Sequence, residues 1–246
     1  MIPYERRSKI LEILETEGMV NIEYLCDSLD GVSESTVRRD LRGLEDDGLV
    51  ENLRGGAARI IKNSFDTPKS SRETLNVNEK EKIAMKAASL VQDGEIIYLD
   101  VGTTVMKMIK YLKNKDISIV TTDATAVQEL ANTNIKCMLV GGDVVQNTAS
   151  LVGPLTDSIL RTLFFDRAFI GTYGFDAQAG FCSPDYRESN KKRIVKENST
   201  NVYVLADHSK QGKRSLAKAF NLDECILITD KLTDFVKTNT RYLIAE

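Results

Sequence analysis

The second part of this chain alternates short β-branched runs with helical patterns, and this alternation is the strongest constraint on its fold. The apolar runs span residues 96–99, 117–121, 135–140, 168–170, 202–205 and 225–228. Parallel neighbouring strands need long crossover connections, which are usually helices. The pattern therefore predicts an α/β domain with a mainly parallel, doubly wound sheet.

Three short helical patterns fill the region before this domain. The first ends at Gly18, the second follows Asn21, and the third follows Ser33 and ends at Gly48. Asn and Ser favour helix starts, and Gly favours helix ends. Asp30-Gly31 is turn-forming sequence between the second and third helices. This order predicts a helix-turn-helix, whose third helix is the recognition helix.

Hydroxyl and arginine side chains gather on the recognition helix and on a hairpin after it. Residues 49–53 and 57–61 flank Arg54-Gly55-Gly56 and predict a β-wing. Hydroxyl and guanidinium groups reach base edges and phosphates in DNA. The predicted DNA-binding residues are Ser33, Ser35, Thr36, Arg38, Arg39, Arg42 and Arg54. An arginine-bearing helix alone is also typical of a solvated surface, so the prediction depends on the conjunction of helices, turn and wing.

The charge of the first region argues against a broad basic surface. Residues 1–62 hold nine Lys and Arg against thirteen Asp and Glu, a formal charge of −4. Many acids lie away from the predicted groove face, as in the run Glu45-Asp46-Asp47. We therefore expect a local positive stripe and weak non-specific DNA binding.

A segment without apolar periodicity separates the two regions. It contains Pro68, Ser70 and Ser71 and predicts a linker. The expected organisation is a DNA-binding domain over 1–61, a linker over 62–75 and an α/β domain over 76–246. The chain is 42% hydrophobic and 28% charged, has no apolar run long enough to span a membrane, and begins with polar residues. We expect a cytoplasmic protein with no membrane partner.

Cysteine and histidine usage limits metal and redox chemistry. Cys26, Cys137, Cys182 and Cys225 lie far apart, so we expect reduced, buried cysteines rather than disulfides or a zinc site. The single histidine, His208, is expected to be an exposed loop imidazole. No metal and no cofactor are predicted.

Polar or glycine-rich turns follow several predicted strands. Asp100 ends the first strand, and the helix start after it offers free N–H groups to an anion. Turns at the carboxyl ends of parallel strands meet in one crevice, although Gly and Thr there are also typical of ordinary capping. The predicted binding set for a small anionic effector is Asp100, Gly102, Thr103, Thr104, Thr122, Gly141, Gly142, Gly174, Asp176, Glu188, Lys192 and Lys210. Among these, Lys210 is the predicted phosphate ligand.

Motifs in both regions match those of one known family. In the first region they are residues 6–13 and 32–41, Leu44, Gly48 and Gly55-Gly56-Ala57; in the second they are Asp100-x-Gly-Thr-Thr, Gly141-Gly142, Ser150-x-x-Gly153, Gly171-x-x-Gly174-x-Asp176, Lys192 and residues 206–210. The first set resembles the winged helix-turn-helix of the DeoR family of bacterial transcriptional regulators, and the second resembles its sensor domain. Arg54 departs from that family, which commonly has an aromatic residue or histidine there. The resemblance implies a sensor related in fold to ribose-5-phosphate isomerase that binds a phosphorylated sugar.

The resemblance implies a sequence-specific DNA-binding regulator that is not an enzyme, in most cases a repressor of a sugar-metabolism operon released by a phosphorylated sugar. One recognition helix makes few base contacts, so we expect a homo-oligomer, dimer or tetramer, on a repeated or palindromic double-stranded operator. An isomerase-like enzyme with a DNA-binding appendage stays open, because Asp100, Asp176 and Glu188 lie near an anion site. A third interpretation is an architectural protein.

Overall fold

The computed structural model describes residues 2–46, 49–60, 69–131 and 133–246. These residues form two compact units, which divide between Asn76 and Val77. Within the predicted linker, residues 62–68 lie outside the described ranges, and so does Gly48, the predicted end of the third helix. Residues Lys69–Glu73 form a short helix, and Leu75 packs against the apolar core of the first unit. The predicted domain boundaries stay a prediction.

The N-terminal unit combines short helices with a small antiparallel sheet. Its elements are α1 (Pro3–Glu17), β1 (Met19–Asn21), α2 (Ile22–Ser28), α3 (Glu34–Asp46), β2 (Val50–Leu53), β3 (Ala57–Ile60) and α4 (Lys69–Glu73). Strand β3 pairs antiparallel with both β1 and β2. The hairpin β2–β3 is the predicted wing, and β1 adds a third strand that the sequence pattern did not predict.

Local sequence signals set the helix boundaries of this unit. Gly18 ends α1 with φ of 77°, a left-handed conformation that favours glycine. The Asn21 side chain accepts the Tyr24 N–H at 2.8 Å and caps α2. Asp30 and Gly31 both have positive φ and turn the chain towards α3. These caps and this turn confirm the predicted helix-turn-helix.

The C-terminal unit is built around a seven-stranded sheet. Its elements are α5 (Val77–Ser89), β4 (Ile96–Leu99), α6 (Thr103–Met106), α7 (Ile109–Leu112), β5 (Ser118–Thr121), α8 (Ala126–Leu130), β6 (Lys136–Leu139), β7 (Asp143–Val145), β8 (Ser150–Val152), α9 (Pro154–Leu160), β9 (Phe165–Gly171), β10 (Gly174–Asp176), β11 (Gly180–Ser183), α10 (Tyr186–Glu197), β12 (Ser199–Leu205), β13 (Ala217–Phe220), β14 (Ile226–Thr229), α11 (Asp234–Asn239) and β15 (Arg241–Ile244). The sheet order is β15-β14-β12-β9-β4-β5-β6, and every neighbouring pair is parallel. The expected mainly parallel, doubly wound fold is confirmed.

Both faces of this sheet are covered because side chains alternate along each strand. Ile97 and Leu99 of β4 contact the core that includes α5, α6 and α7, whereas Tyr98 contacts the core that includes α9, α10 and α11. After β4 the chain builds β5 and β6 on one side, and then β9 and β12 on the other. The strand order therefore reverses at β4, where α/β sheets bind ligands beyond their carboxyl ends.

Two expectations on the cysteines need correction. All four are free, but Cys137 is exposed on the edge strand β6 and Cys26 is half-buried. Only Cys182 and Cys225 are buried as expected. The edge position explains the exposure of Cys137, because β6 has a neighbouring strand on one side alone.

Within the described ranges, no helix is long and apolar enough to cross a membrane.

Candidate functional site

The start of α3 presents a cluster of hydroxyl groups. Ser33 precedes the helix, and its carbonyl accepts the backbone N–H groups of Thr36 and Val37 at 2.9 and 3.1 Å. Its Oγ lies 3.1 Å from Ser35 Oγ and 2.9 Å from Thr36 Oγ1. Ser33 and Ser35 are exposed, and Thr36 is half-buried. Donors and acceptors at a recognition-helix start are suited to base edges and phosphates.

The arginines of α3 point away from the apolar core. Val37, Leu41 and Leu44 are buried, whereas Arg38, Arg39 and Arg42 are exposed. Arg38 binds Glu34 one turn earlier, with its Nε 2.9 Å from Glu34 Oε1. That carboxylate offsets part of the charge of Arg38, and Arg39 and Arg42 are the exposed arginines of α3 outside this ion pair.

The wing is fastened to α3 through Glu45 and Asn52. The Asn52 N–H donates to Glu45 Oε1 at 2.8 Å, and Asn52 Nδ2 donates to Glu45 Oε2 at 2.8 Å. These hydrogen bonds from Asn52 lower the pKa of Glu45. Arg54 is exposed at the tip of the wing, where Gly55 and Gly56 have positive φ. The hydrogen bonds between Asn52 and Glu45 join the wing to α3, and both carry exposed basic residues.

In the C-terminal unit, two loops meet where the strand order reverses. Asp100 follows β4, and its Oδ2 accepts the N–H of Gly171, the last residue of β9, at 3.2 Å. A Cβ added at Gly171 would lie 3.1 Å from the Val101 carbonyl. Glycine at this position therefore permits the loops after β4 and β9 to approach closely.

Two lysines of α10 converge on Asp100 inside the protein. Lys192 Nζ donates to Asp100 Oδ2, and Lys191 Nζ lies 3.9 Å from Asp100 Oδ1. Lys191 also donates to Ser150 Oγ at 2.8 Å and to the Leu151 carbonyl at 3.3 Å. The Asp100 and Lys191 side chains are fully buried, and that of Lys192 is 5% exposed.

Further polar side chains complete this site. The Tyr98 hydroxyl lies 2.8 Å from Thr122 Oγ1 and donates to Asp100 at 3.4 Å, while Thr148 Oγ1 donates to Glu188 at 3.4 Å. We call the group formed by Tyr98, Asp100, Thr122, Thr148, Ser150, Glu188, Lys191 and Lys192 the Asp100 cluster. All eight residues are buried.

Electrostatics act in different directions on the members of the Asp100 cluster. Burial by itself raises the pKa of Asp100, but the charges of Lys192 and Lys191 more than offset burial, so the pKa is lowered. For Lys191 burial is the largest influence, and it lowers the pKa despite the carboxylates of Asp100 and Glu188. Burial raises the pKa of Tyr98 well above its usual value. Buried charges of this kind are typical of ligand sites, although structural ion pairs share them.

The remaining predicted effector residues lie in several surroundings. Gly102 precedes the four-residue helix α6, in which Thr103 and Thr104 are buried. The Gly141 carbonyl accepts Thr156 Oγ1 at 2.8 Å, so the Gly141-Gly142 turn lies against the start of α9. A Cβ at Gly142 would also lie 2.6 Å from the Val152 carbonyl, which indicates a close backbone approach rather than an open cradle.

Asp176 and Gly174 belong to the small sheet β10–β11–β13. Asp176 accepts the N–H groups of Gln178 and Ala179 at 2.8 and 2.6 Å and binds Arg214. These bonds fix its own turn. A Cβ at Gly174 would lie 2.6 Å from Lys213 Cβ, so the absence of a side chain at Gly174 admits the neighbouring segment.

Lys210 lies in a short helical turn, His208–Lys210, after β12. Asp207, just before it, is buried; burial raises its pKa, but the charge of Lys210 and the Ser209 hydroxyl more than offset that effect, so the pKa is lowered. His208 was expected to be an exposed loop imidazole, and this expectation is wrong. Its side chain is 35% exposed, and its Nδ1 lies 2.6 Å from Asp230 Oδ2.

Four members of the Asp100 cluster are absent from the predicted effector residues, namely Tyr98, Thr148, Ser150 and Lys191. A signal for Lys191 exists, because the buried face of α10 contains Glu188, Lys191, Lys192 and Val195. These residues recur at helical spacings of three and four, which marks one face of a helix. Both lysines therefore share a stripe with apolar core residues. For Ser150 and Thr148, long-range pairing brings them to the site.

An exposed arginine-bearing helix with a wing, followed by a separate α/β unit, is the arrangement of a helix-turn-helix DNA-binding regulator with a second domain. The DeoR-like helix-turn-helix domain matches residues 6–63, and the DeoR C terminal sensor domain matches residues 75–231. The chain belongs to the DeoR family of helix-turn-helix transcriptional regulators.

Similar proteins cover nearly the whole chain. An uncharacterized HTH-type transcriptional regulator FruR of Bacillus subtilis (strain 168) is 36% identical, over 93% of this chain and 91% of FruR. The HTH-type transcriptional regulator GlpR of Haloferax volcanii is 34% identical, over 95% and 92%. The glycerol-3-phosphate regulon repressor of Escherichia coli (strain K12) is 30% identical, over 86% and 84%. Among solved structures, ribose 5-phosphate isomerase A of Methanocaldococcus jannaschii has a TM-score of 0.42 and 23% identity, over 56% of each chain.

Proposed function

We propose that this regulator is a repressor whose C-terminal unit binds a phosphorylated sugar and thereby releases operator DNA. The observation that carries the proposal is the Asp100 cluster, which lies beyond the carboxyl end of β4, where the strand order reverses. Ligands of open α/β sheets collect at that point. The E. coli relative named above is a repressor of a glycerol-3-phosphate regulon, which supports both a phosphate and a polyol as features of the effector.

The chemistry of the site fits a molecule with hydroxyl groups at one end and a phosphate at the other. Carboxylate and hydroxyl oxygens of Asp100, Thr122 and Glu188 can exchange hydrogen bonds with sugar hydroxyls. Lys192 and Lys210 are the candidate cations. Lys210 follows β12 and Asp100 follows β4, with β9 between these strands, so the two loops are about 10 Å apart. A sugar phosphate can span that separation.

For the N-terminal unit we propose DNA binding through the residues predicted from the sequence. Ser33, Ser35 and Thr36 would contact phosphates or base edges, Arg38, Arg39 and Arg42 would enter or border the major groove, and Arg54 would follow the backbone from the wing. One recognition helix gives limited specificity, so the active species is a homo-oligomer on a repeated operator site. We also propose a cytoplasmic location, where operator DNA and phosphorylated sugars are both present.

We propose no catalytic role for Asp100 and Asp176, two of the three acidic residues that left an isomerase open. Asp100 is held by Lys192 and lies near Lys191, and Asp176 accepts two N–H groups of its own turn and binds Arg214. A proton-transfer base must take up a proton from a substrate C–H. Burial raises the pKa of both carboxylates, but their cationic and N–H partners more than offset burial, so the pKa of each is lowered and each is a weak base. Exchange of substrate protons with D2O in pentose and hexose phosphates tests this proposal, and turnover above background would contradict it.

The proposed function is tested by thermal shift with a panel of sugar phosphates, followed by DNA release. A true effector raises the melting temperature, because ligand binding stabilises the folded state. It should also release a fluorescent duplex that the protein has selected from a random library. The matched control is the same sugar without its phosphate. If no sugar phosphate shifts the melting temperature at millimolar concentration, the effector proposal fails.

A further inference from the structure

The buried face of α3 is interrupted by one charged residue. Val37, Leu41 and Leu44 form an apolar stripe, and Asp40 lies within it at 2% exposure. A carboxylate in a core is strongly unfavourable unless it is paired and hydrogen-bonded. Its presence in the middle of the recognition helix therefore needs an explanation that apolar packing does not provide.

Two consecutive arginines of α1 bind this carboxylate. Asp40 Oδ2 accepts Arg6 Nε, and Asp40 Oδ1 lies 3.5 Å from Arg7 Nε. Arg6 is itself 8% exposed. One carboxylate thus fastens α3 to two successive positions of α1, with both of its oxygens in use.

Gly43, one turn after Asp40, makes room for the second arginine. A Cβ at Gly43 would lie 2.5 Å from a terminal guanidinium nitrogen of Arg7. The guanidinium group therefore lies directly on the surface of α3. Glycine inside a helix is unfavourable relative to alanine, and here the space it leaves is filled by the ion-pair partner of Asp40.

The rotation of α3 about its axis decides what its arginines can contact. Successive helical residues are about 100° apart, so Arg38 and Arg42 lie about 160° from Asp40 on either side and about 40° from each other. When Asp40 points at α1, both arginines point away from the core. Apolar side chains accept several neighbouring packings, whereas a charge pair fixes one register, a role that buried polar groups have in other helical proteins.

We infer that Asp40, together with Arg6 and Arg7, is a positioning group for DNA recognition: it fixes the rotation of α3 so that the arginine face meets the groove. This inference rests on the proposed reading of DNA by α3. Loss of the group would leave a folded unit that still binds phosphates but reads bases poorly.

The test replaces the buried ion pair by apolar side chains in the full-length protein. The double variant Arg6→Met/Asp40→Leu removes both charges, and such replacements are often neutral or stabilising. The probes are a fluorescent duplex selected by the wild-type protein from a random library and a scrambled duplex of equal length. We expect the ratio of the scrambled-duplex dissociation constant to the selected-duplex dissociation constant to fall at least tenfold. The melting temperature should be unchanged or higher, and the affinity for the scrambled duplex should stay within about threefold of the wild type.

Two further variants separate the possible failures. Leu14→Met changes the same core without changing charge and should keep the wild-type ratio. Arg39→Ala should lower the ratio by itself if α3 reads bases. If Arg39→Ala binds both duplexes as tightly as the wild type does, the assignment of α3 is wrong. If Arg39→Ala lowers the ratio but the folded double variant keeps the wild-type value, the positioning role of Asp40 is overturned. Should the double variant not fold, Asp40→Asn, which keeps the side-chain shape but leaves Arg6 without its carboxylate, is judged by the same ratio at a temperature well below its lowered melting temperature.

Discussion

The two units of this regulator use charged side chains in opposite ways. On α3, Arg39 and Arg42 are exposed, and the one buried carboxylate holds the helix in place. In the C-terminal unit, Asp100, Glu188, Lys191 and Lys192 are buried among polar groups at the carboxyl end of the sheet. Exposed charges attract DNA phosphates over distance and are screened by salt. Buried charges act only on a molecule that enters the site and fits it.

This difference predicts where each unit is sensitive. Exposed arginines contribute little to folding, so their loss should change function and leave stability intact. A buried ion pair is the reverse case, because removing one partner leaves an uncompensated charge in the interior. Substitution of an exposed arginine in the N-terminal unit should therefore change DNA binding, whereas substitution of a buried lysine in the C-terminal unit should lower the free energy of unfolding.

The largest expected effect is on the stability of the C-terminal unit. Lys192→Met should lower the free energy of unfolding by about 3 kcal/mol, at the low end for buried pairs because Lys191 still lies 3.9 Å from Asp100. Urea unfolding followed by tyrosine fluorescence measures this change, since six of the eight tyrosines lie after residue 76. The control on the same helix is Lys196→Met, whose partner Glu224 is 32% exposed and whose loss should cost at most about 1 kcal/mol. Equal losses in both variants would contradict the contrast between buried and half-buried charge.

Much of the fold follows from local patterns in the sequence. Caps such as Asn21 and runs such as residues 96–99 act through their immediate neighbours and were predicted. Strand β1 was not, because its three residues pair with β3 some forty residues later. The last strand, β15, was also missed, since its four residues show no alternation and depend on β14 for their pairing.

The candidate sites divide in the same way. The residues of α3 share one helix face, which a sequence displays directly. The Asp100 cluster instead joins the end of β4, the β7–β8 hairpin and α10, as in the contact between Lys191 and Ser150 across 41 positions. Such a contact depends on the topology of the fold. The sequence indicates Lys192, which is one of the matched motif residues, but no pattern in it joins Lys191 to Ser150.

A second prediction concerns binding without stability. Arg39→Ala should weaken binding to the selected duplex by about 1–3 kcal/mol if the guanidinium reads a base, and it should change the free energy of unfolding by no more than about 0.5 kcal/mol. Fluorescence anisotropy with selected and scrambled duplexes measures it. Equal weakening on both duplexes would indicate a phosphate contact instead, and no weakening on either would contradict the assignment of α3 as the recognition helix.

A third prediction concerns the effector. Lys210→Ala should reduce effector affinity at least tenfold, about 1.4 kcal/mol, because the phosphate loses its charged donor. DNA binding without effector should stay at the wild-type value. A DNA-release titration measures both, and in cells the variant should repress permanently, because the ligand can no longer shift the population. A wild-type release curve would place the phosphate elsewhere.

The smallest expected effect comes from His208, a half-buried charge between the two extremes. Its bond with Asp230 raises the pKa of His208 above the usual 6.5. The folded state therefore favours the protonated imidazole, so the stability that the pair contributes is fully present at pH values below 6.5 and is lost as pH rises through the raised pKa. Asp230 acts in the other direction: burial raises its pKa, the His208 contact more than offsets this, and its contribution is lost only as pH falls below the usual 3.8. Because the imidazole is 35% exposed, we expect the pair to contribute less than about 1 kcal/mol to the free energy of unfolding.

The measurement is the melting temperature of wild type and His208→Asn between about pH 6 and pH 9, where groups common to both proteins cancel in the difference. The wild type should lose its advantage as pH rises, and a difference that is constant or grows with pH would show that the pair is not an ion pair.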